Sequence, residues 1–169
     1  MNNLQFDFLV DKENKSITVV KEFSAERALI WDVYTKSEYL DQWFAPKPWQ
    51  AKTKIMNFIE GGYWLYAMCG PNGEEHWGRM DYEQITPKDS YIAWDGFCDS
   101  EGNINIQMPR AKWHTLFTDN GENTIVKTIS TYNSLNDLET VIKMGVKEGL
   151  TIAIRGLEEL ITQLKEQRK

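Results

Sequence analysis

An α+β fold, with an antiparallel sheet, two short helices and a long C-terminal helix, is the class that the sequence predicts. Three observations predict it. Seven runs rich in β-branched and aromatic residues are separated by short turn-forming stretches. A helical segment between the first and second runs is closed by Pro46 and Pro48, since proline cannot continue a helix ladder. After the last run, about thirty residues keep an apolar arc at helical spacing.

Each element follows from its residues. Residues 1–15 read as a loosely ordered segment ending in Asp11-Lys12-Glu13-Asn14, and residues 16–169 as one domain. Ser16 to Phe23 is rich in Ile, Thr and Val and predicts a strand. Ser24 is a good N-cap for a helix beginning at Ala25, and Ser37 for a shorter one carrying Tyr39, Leu40, Trp43 and Phe44. A meander follows: Trp49 to Asn57, Tyr63 to Cys69, His76 to Ile85, Tyr91 to Phe97, Lys112 to Thr118 and Thr124 to Tyr132. Gly61-Gly62, Gly70-Pro71-Asn72-Gly73, Thr86-Pro87-Lys88-Asp89 and Asp119-Asn120-Gly121-Glu122 supply tight turns. A polar loop runs from Asp99 to Pro109. Connections this short make sequential strands antiparallel neighbours.

The last helix is expected from Leu135 to Lys165, capped by Ser134. Its apolar arc holds Leu138, Val141, Ile142, Val146, Ile152, Ala153, Leu157, Leu160 and Leu164, opposite Lys143, Lys147, Glu148, Arg155 and Glu158. Gly145, Gly149 and Gly156 fall near the middle of that arc. Each costs about 1 kcal/mol against alanine in a helix interior. Two explanations are open: the sheet approaches closely there, or space is left for another molecule.

Composition narrows the function. With a formal net charge of −6, the chain lacks the basic footprint of a nucleic-acid binder or an anionic-membrane binder. No apolar run reaches the roughly 18 residues of a membrane span, and the first residues lack the pattern of a signal peptide, so the cytoplasm is the expected compartment. Cys69 and Cys98 would lie two strand spacings apart, roughly 9–10 Å, which is too far for a disulfide. They are expected to be buried structural thiols. Two histidines and two distant cysteines make a poor zinc site, and neither a metal nor a cofactor is expected. Spacing reveals no catalytic constellation, so the catalytic residues are unknown.

The aromatic content points elsewhere. Seven tryptophans among 169 residues are more than a small core requires, so they either thicken the core or wall a hollow one. Strand alternation puts Trp64, Tyr66 and Met68 on one face. Met80 and Tyr82 share a face opposite Asp81 and Glu83. Trp113, Thr115 and Phe117 share another, with His114 opposite. Asp95 is a third carboxylate that a cavity could hold. The faces of Trp77 and Trp94 are left open, because both sides of their strands carry aromatics.

Several local motifs carry a resemblance. Ser24-Ala25-Glu26-Arg27-Ala28-Leu29-Ile30-Trp31 is a polar helix start leading to a Trp. Leu40-Asp41-Gln42-Trp43-Phe44-Ala45-Pro46, Glu60-Gly61-Gly62-Tyr63-Trp64, Gly70-Pro71-Asn72-Gly73 and Met144-Gly145-Val146-Lys147-Glu148-Gly149 follow in order. Together they resemble the heat-shock protein 90 ATPase activator homologue family. That family lies within the START-like (SRPBCC) superfamily, beside the birch-pollen allergen and polyketide cyclase-like proteins. The resemblance covers about Ile17 to Leu164. It implies a helix-grip fold, a curved sheet gripping the long helix around an apolar cavity. It also favours Trp64, Tyr66 and Met68 as cavity-facing.

The expected function is therefore binding of a small hydrophobic or aromatic molecule. Trp43, Trp64, Tyr66, Met68, Met80 and Trp113 would wall the cavity, and Gly145 and Gly149 would leave room under the helix. Three rivals stay open. One is a cyclase- or hydrolase-type enzyme using a polar residue such as His114. Another is a chaperone-interaction module. The last is an oligomerising stress protein, for instance a homodimer, with a filled core.

Overall fold

A computed structural model describes residues 4–168. Eight strands, β1 (Phe6–Asp11), β2 (Ser16–Phe23), β3 (Gln50–Met56), β4 (Tyr63–Cys69), β5 (Glu75–Thr86), β6 (Ser90–Cys98), β7 (Ala111–Asn120) and β8 (Asn123–Tyr132), form one antiparallel sheet. Their order is β1-β2-β8-β7-β6-β5-β4-β3. The four helices are α1 (Arg27–Thr35), α2 (Ser37–Trp43), α3 (Leu135–Lys143) and α4 (Val146–Gln167). The α1–α2 pair connects β2, near one edge of the sheet, to β3 at the other edge. On the way α1 packs on β7 and β8, and α2 on β3 and α4. The helices thus cover one face of a curved sheet, which is the helix-grip arrangement.

β-Bulges lie between Thr53 and Ile55 in β3 and between Tyr82 and Gln84 in β5. An extra residue bends the bulged strand and increases its twist, which helps the sheet curl around the helices. The main core joins Trp31, Leu29, Ile30 and Val33 of α1 to Phe117, Tyr91 and Tyr82 of the sheet and to Leu157 and Ile161 of α4. Under α3, Leu138 packs with Ile17, Ala111 and Tyr132.

Several expectations change. The N-terminal segment, expected to be loose, contains β1, which pairs with β2 from Phe6↔Lys21 to Asp11↔Ser16; its first three residues lie outside the described residues. Its Phe-Asp-Phe-Leu-Val pattern alternates like an edge strand, but the acidic positions masked that signal. Ser24 is not the N-cap of α1, which starts at Arg27, two residues later than expected. The Ala25 carbonyl accepts from Thr124 Oγ1 at 2.8 Å and the Ser24 carbonyl from Lys165 Nζ at 2.6 Å, so these two carbonyls are tied to other elements. Ser37 opens α2 rather than capping it. Ser134 does cap α3, accepting from the Asp137 backbone N–H at 3.0 Å.

The long helix is two helices. Gly145 has φ +89°, a left-handed conformation that glycine adopts without a Cβ penalty. Its N–H donates to the Ile142 carbonyl at 3.1 Å, ending α3, and its carbonyl accepts from Gly149 N–H at 3.0 Å, opening α4. Gly145 therefore sets a corner and does not leave room under the helix. The corner also resets the helical phase. Ile152, expected inward, is 41% exposed, while Ile154 and Ile161 are buried. Gly156 faces open space and a Cβ at Gly149 would meet only Pro46 Cγ, at 3.7 Å; close sheet approach explains neither. A Gly145→Ala variant should lose about 1–2 kcal/mol, the cost of a left-handed non-glycine residue, measurable by chemical denaturation.

Cys69 and Cys98 are free thiols; expected to be buried, both are only half-buried. Burial pushes the Cys98 thiol up from its ordinary pKa.

Candidate functional site

Between the concave face of the sheet and the helices lies a partly open cavity of about 310 Å³. Inward positions follow the alternation of each strand. Trp64, Tyr66 and Met68 come from β4, Met80 and Tyr82 from β5, Asp95 and Phe97 from β6, and Trp113 from β7. Trp43, Phe44 and Pro46 close one side, and Val146, Gly149, Leu150, Ala153 and Ile154 of α4 form the roof. Seven of the eight residues expected at the site therefore line the cavity: Trp43, Trp64, Tyr66, Met68, Met80, Trp113 and Gly149. Gly145 does not, because it forms the corner beyond the roof.

The lining is not equally open. Trp64 is 1% exposed. Its ring stacks on Tyr66 with centroids 4.1 Å apart, and Phe44 meets both rings edge-on, at 4.9 and 5.4 Å. Trp64 Nε1 donates to Thr53 Oγ1 at 2.9 Å, and Thr53 Oγ1 donates to Asp41 at 2.6 Å. Trp43, also buried, donates its Nε1 to the Val33 carbonyl at 2.8 Å. This end of the space is filled by aromatic packing. Met68, Asp95, Phe97 and Trp113 keep some exposure, so the hollow lies toward β6 and β7.

Gly78 makes the Tyr66 position available. It sits directly across from Tyr66 in the ladder, and a Cβ there would lie 2.7 Å from the Tyr66 hydroxyl oxygen and 2.8 Å from Cζ. The Tyr66 ring lies across the bare backbone, and any other residue at position 78 would push it into the cavity.

Asp95 is the functional-site residue that the sequence only hinted at. Among the described residues lining the cavity it alone is charged. Its Oδ1 accepts from the Ala111 backbone N–H and its Oδ2 from Trp113 Nε1, both at 2.7 Å. Burial nevertheless raises its pKa from 3.8 to about 6, against the lowering effect of these two bonds and of the Arg110 charge. Burial also raises Tyr66 and Tyr132 well above the ordinary tyrosine value, with the Asp95 charge adding to it. The folded state thus binds the Asp95 proton more tightly than the unfolded chain. This residue's contribution to stability is full below about pH 4 and falls as pH rises toward 6. An NMR titration should find the Asp95 carboxyl near 6, while Asp11 and Asp99, held down by hydrogen bonds from Asn14 and Asn103, titrate below 3.8.

The remaining sequence candidates lie elsewhere. His114 is on the strand face opposite Trp113 and does not line the cavity. His76 is exposed at a hairpin, where Trp49 packs on it at 5.1 Å. Trp77 and Trp94 face outward, with Lys54 and Lys112 over their rings at 5.8 and 5.7 Å. Trp31 is core, edge-on to Phe58, Tyr91 and Phe117. No helix among the described residues is long and apolar enough to cross a membrane.

Known proteins share this architecture. The model of the family described as activator of Hsp90 ATPase homolog 1-like protein matches residues 24–162. A crystal structure of a Mycobacterium smegmatis protein is 29% identical, with a TM-score of 0.85 over 93% of this chain and 96% of that one. A solution structure of an Arthrobacter aurescens protein is 25% identical, with a TM-score of 0.88 over 93% and 91% of the two chains. One from Staphylococcus epidermidis is 27% identical, with a TM-score of 0.80 over 91% and 93%. No curated protein matches the chain.

Proposed function

Since the chain belongs to the activator of Hsp90 ATPase homolog 1-like family, with its ligand-binding type of fold, we propose that it binds a small hydrophobic or aromatic molecule in the internal cavity. The observation that carries this reading is the 310 Å³ hollow itself. Interiors normally pack to crystal-like density with few voids, so a partly open, aromatic-lined hollow of this size between the sheet and the helices is a property to be explained. It stands at the lower end of small-molecule pockets, roughly 300–1,000 Å³, which suits a one- or two-ring compound better than a long-chain lipid. Binding would draw on about 25 cal/mol per Å² of apolar ligand surface buried, with the offset and edge-on geometry of aromatic rings adding selectivity. On this reading the protein works in the cytoplasm, with a small molecule and not a nucleic acid or membrane as its partner.

The enzyme alternative loses His114, which lies on the other face of β7. A His114→Ala variant should leave any cavity-dependent property unchanged. Native mass spectrometry of freshly purified protein tests the main reading. The expected result is a retained mass of a few hundred daltons, or uptake of an added hydrophobic dye at one per chain. The lack of both a retained mass and dye uptake in the folded protein would reject it.

A further inference from the structure

The charge balance around Asp95 says what kind of molecule the cavity prefers. No Lys, Arg or His lines the cavity, and no cation lies within salt-bridge distance of the Asp95 carboxylate among the described residues. The nearest candidate, Arg110, is committed elsewhere. Its Nε donates to the backbone carbonyl of Asp95 at 2.7 Å, and its Nη2 pairs with Asp81, which Arg79 also grips at 2.6 Å. The Ala111 and Trp113 donors take one acceptor position on each carboxylate oxygen. An ionised carboxylate offers about four such positions. Asp95 therefore presents a fixed negative charge that has no direct ion-pair partner, is only partly offset by the more distant Arg110, and has acceptor capacity to spare. A largely buried charge without a direct ion-pair partner is unfavourable, so a cation delivered by the ligand relieves it.

We propose that the cavity selects a small aromatic amine, with its ammonium at the Asp95 carboxylate and its ring against Tyr66 and Trp113. This inference rests on the binding reading above and names the ligand class for the same site. The aromatic side chains serve both halves of such a molecule. They cover its ring, and their faces attract its cation. A neutral alcohol of the same shape would make the hydrogen bond without neutralising the charge, and a carboxylate would be repelled.

The groups facing Asp95 leave its own ionisation in control of the pH response. From β4 and β8 the neighbours are the Tyr66 and Tyr132 hydroxyls, which burial keeps neutral. From the β6–β7 loop the neighbour is the Arg110 guanidinium, whose charge lowers the Asp95 pKa. The helices contribute apolar side chains such as Val141, Val146 and Leu150. Selectivity for the amine should then be full above about pH 7 and shrink as pH falls below 6, where Asp95 takes a proton.

Isothermal titration with 2-phenylethylamine, 2-phenylethanol and phenylacetate tests this. At about pH 8 the amine should bind at least ~10-fold tighter than the alcohol, and phenylacetate weakest, in line with a charge-assisted hydrogen bond. The preference should collapse toward one in Asp95→Asn, and in the unaltered protein at about pH 5, where the amine remains protonated. Equal binding of amine and alcohol, or a preference that persists in a folded Asp95→Asn variant or at low pH, overturns the proposal. If Asp95→Asn does not fold, the pH comparison on the unaltered protein decides. Alcohol binding without amine preference rejects the amine and leaves the cavity reading standing. Failure of all three compounds and of a hydrophobic dye rejects both.

Discussion

Truncating Trp64 to alanine should destabilise the protein by about 3–5 kcal/mol, the range for large aromatic side chains removed from a core. Its ring is 1% exposed, stacked on Tyr66 and met edge-on by Phe44. The truncation removes all of that contact together with the Nε1 bond to Thr53. Partial relaxation is blocked on one side by the ladder, where Trp64 sits across from Met80, and on the other by α2, whose Asp41 anchors Thr53. In a domain of this size each kcal/mol shifts Tm by roughly 2–4 °C, so thermal unfolding should move down by about 10 °C or more. Trp64→Phe should recover most of the loss, since it restores the stack without the indole N–H. A Tm within a degree or two of the unaltered protein in Trp64→Ala would mean that this end of the space is open and not packed.

Replacing Gly149 by leucine should move stability and binding in opposite directions. Gly149 lies in the first turns of α4 and lines the cavity, and an added Cβ would meet Pro46 Cγ at an ordinary 3.7 Å. The substitution is sterically open and removes a helix glycine, a gain of about 1 kcal/mol. The leucine side chain would then occupy space beside Pro46 and Leu150 that a ligand would otherwise take. Dye or amine binding should fall by about tenfold or more, with Tm unchanged or a few degrees higher. Gly156→Ala is the control. It brings a similar helix gain at a site with nothing within 4 Å and outside the cavity lining, so it should raise Tm and leave binding intact. If folded Gly149→Leu binds as well as the unaltered protein, the cavity under α4 is not where ligands enter.

Which parts of this site could be read from the chain follows from how each signal is generated. Strict strand alternation grouped Trp64 with Tyr66 and Met68, Met80 with Tyr82, and Trp113 with Phe117; the family resemblance turned the first group inward, and the register pairs Trp64 with Met80 across the ladder. Asp95 gave no such signal. It sits among Tyr91, Ala93 and Phe97 on the inner face of β6. Its partners, Ala111 and Trp113, are 16 and 18 residues away in sequence. A lone aspartate in a strand looks the same whether it meets water or an indole N–H. Trp77 and Trp94 were undecidable for a related reason. Lysines from neighbouring strands cover their rings on the outer face, which makes a solvent-facing tryptophan as acceptable as a buried one. Gly145 and Gly149 looked equivalent along one helical arc, but one is a left-handed corner and the other a roof position.

The sequence by itself determined the order of the elements from β2 to β8, the antiparallel pairing of the meander, which side chains share a face on β4, β5 and β7, and the family. All of these follow from short-range periodicity, turn chemistry and motif spacing, which are local properties. The tertiary structure alone decided where the hollow lies, that the last helix breaks at Gly145, and that a single carboxylate without an ion-pair partner looks into the cavity. Those features depend on groups that meet only after the sheet has closed around the helices. Their energetics come from packing, burial and the lack of a direct ion-pair partner, and residue order carries no direct mark of any of them.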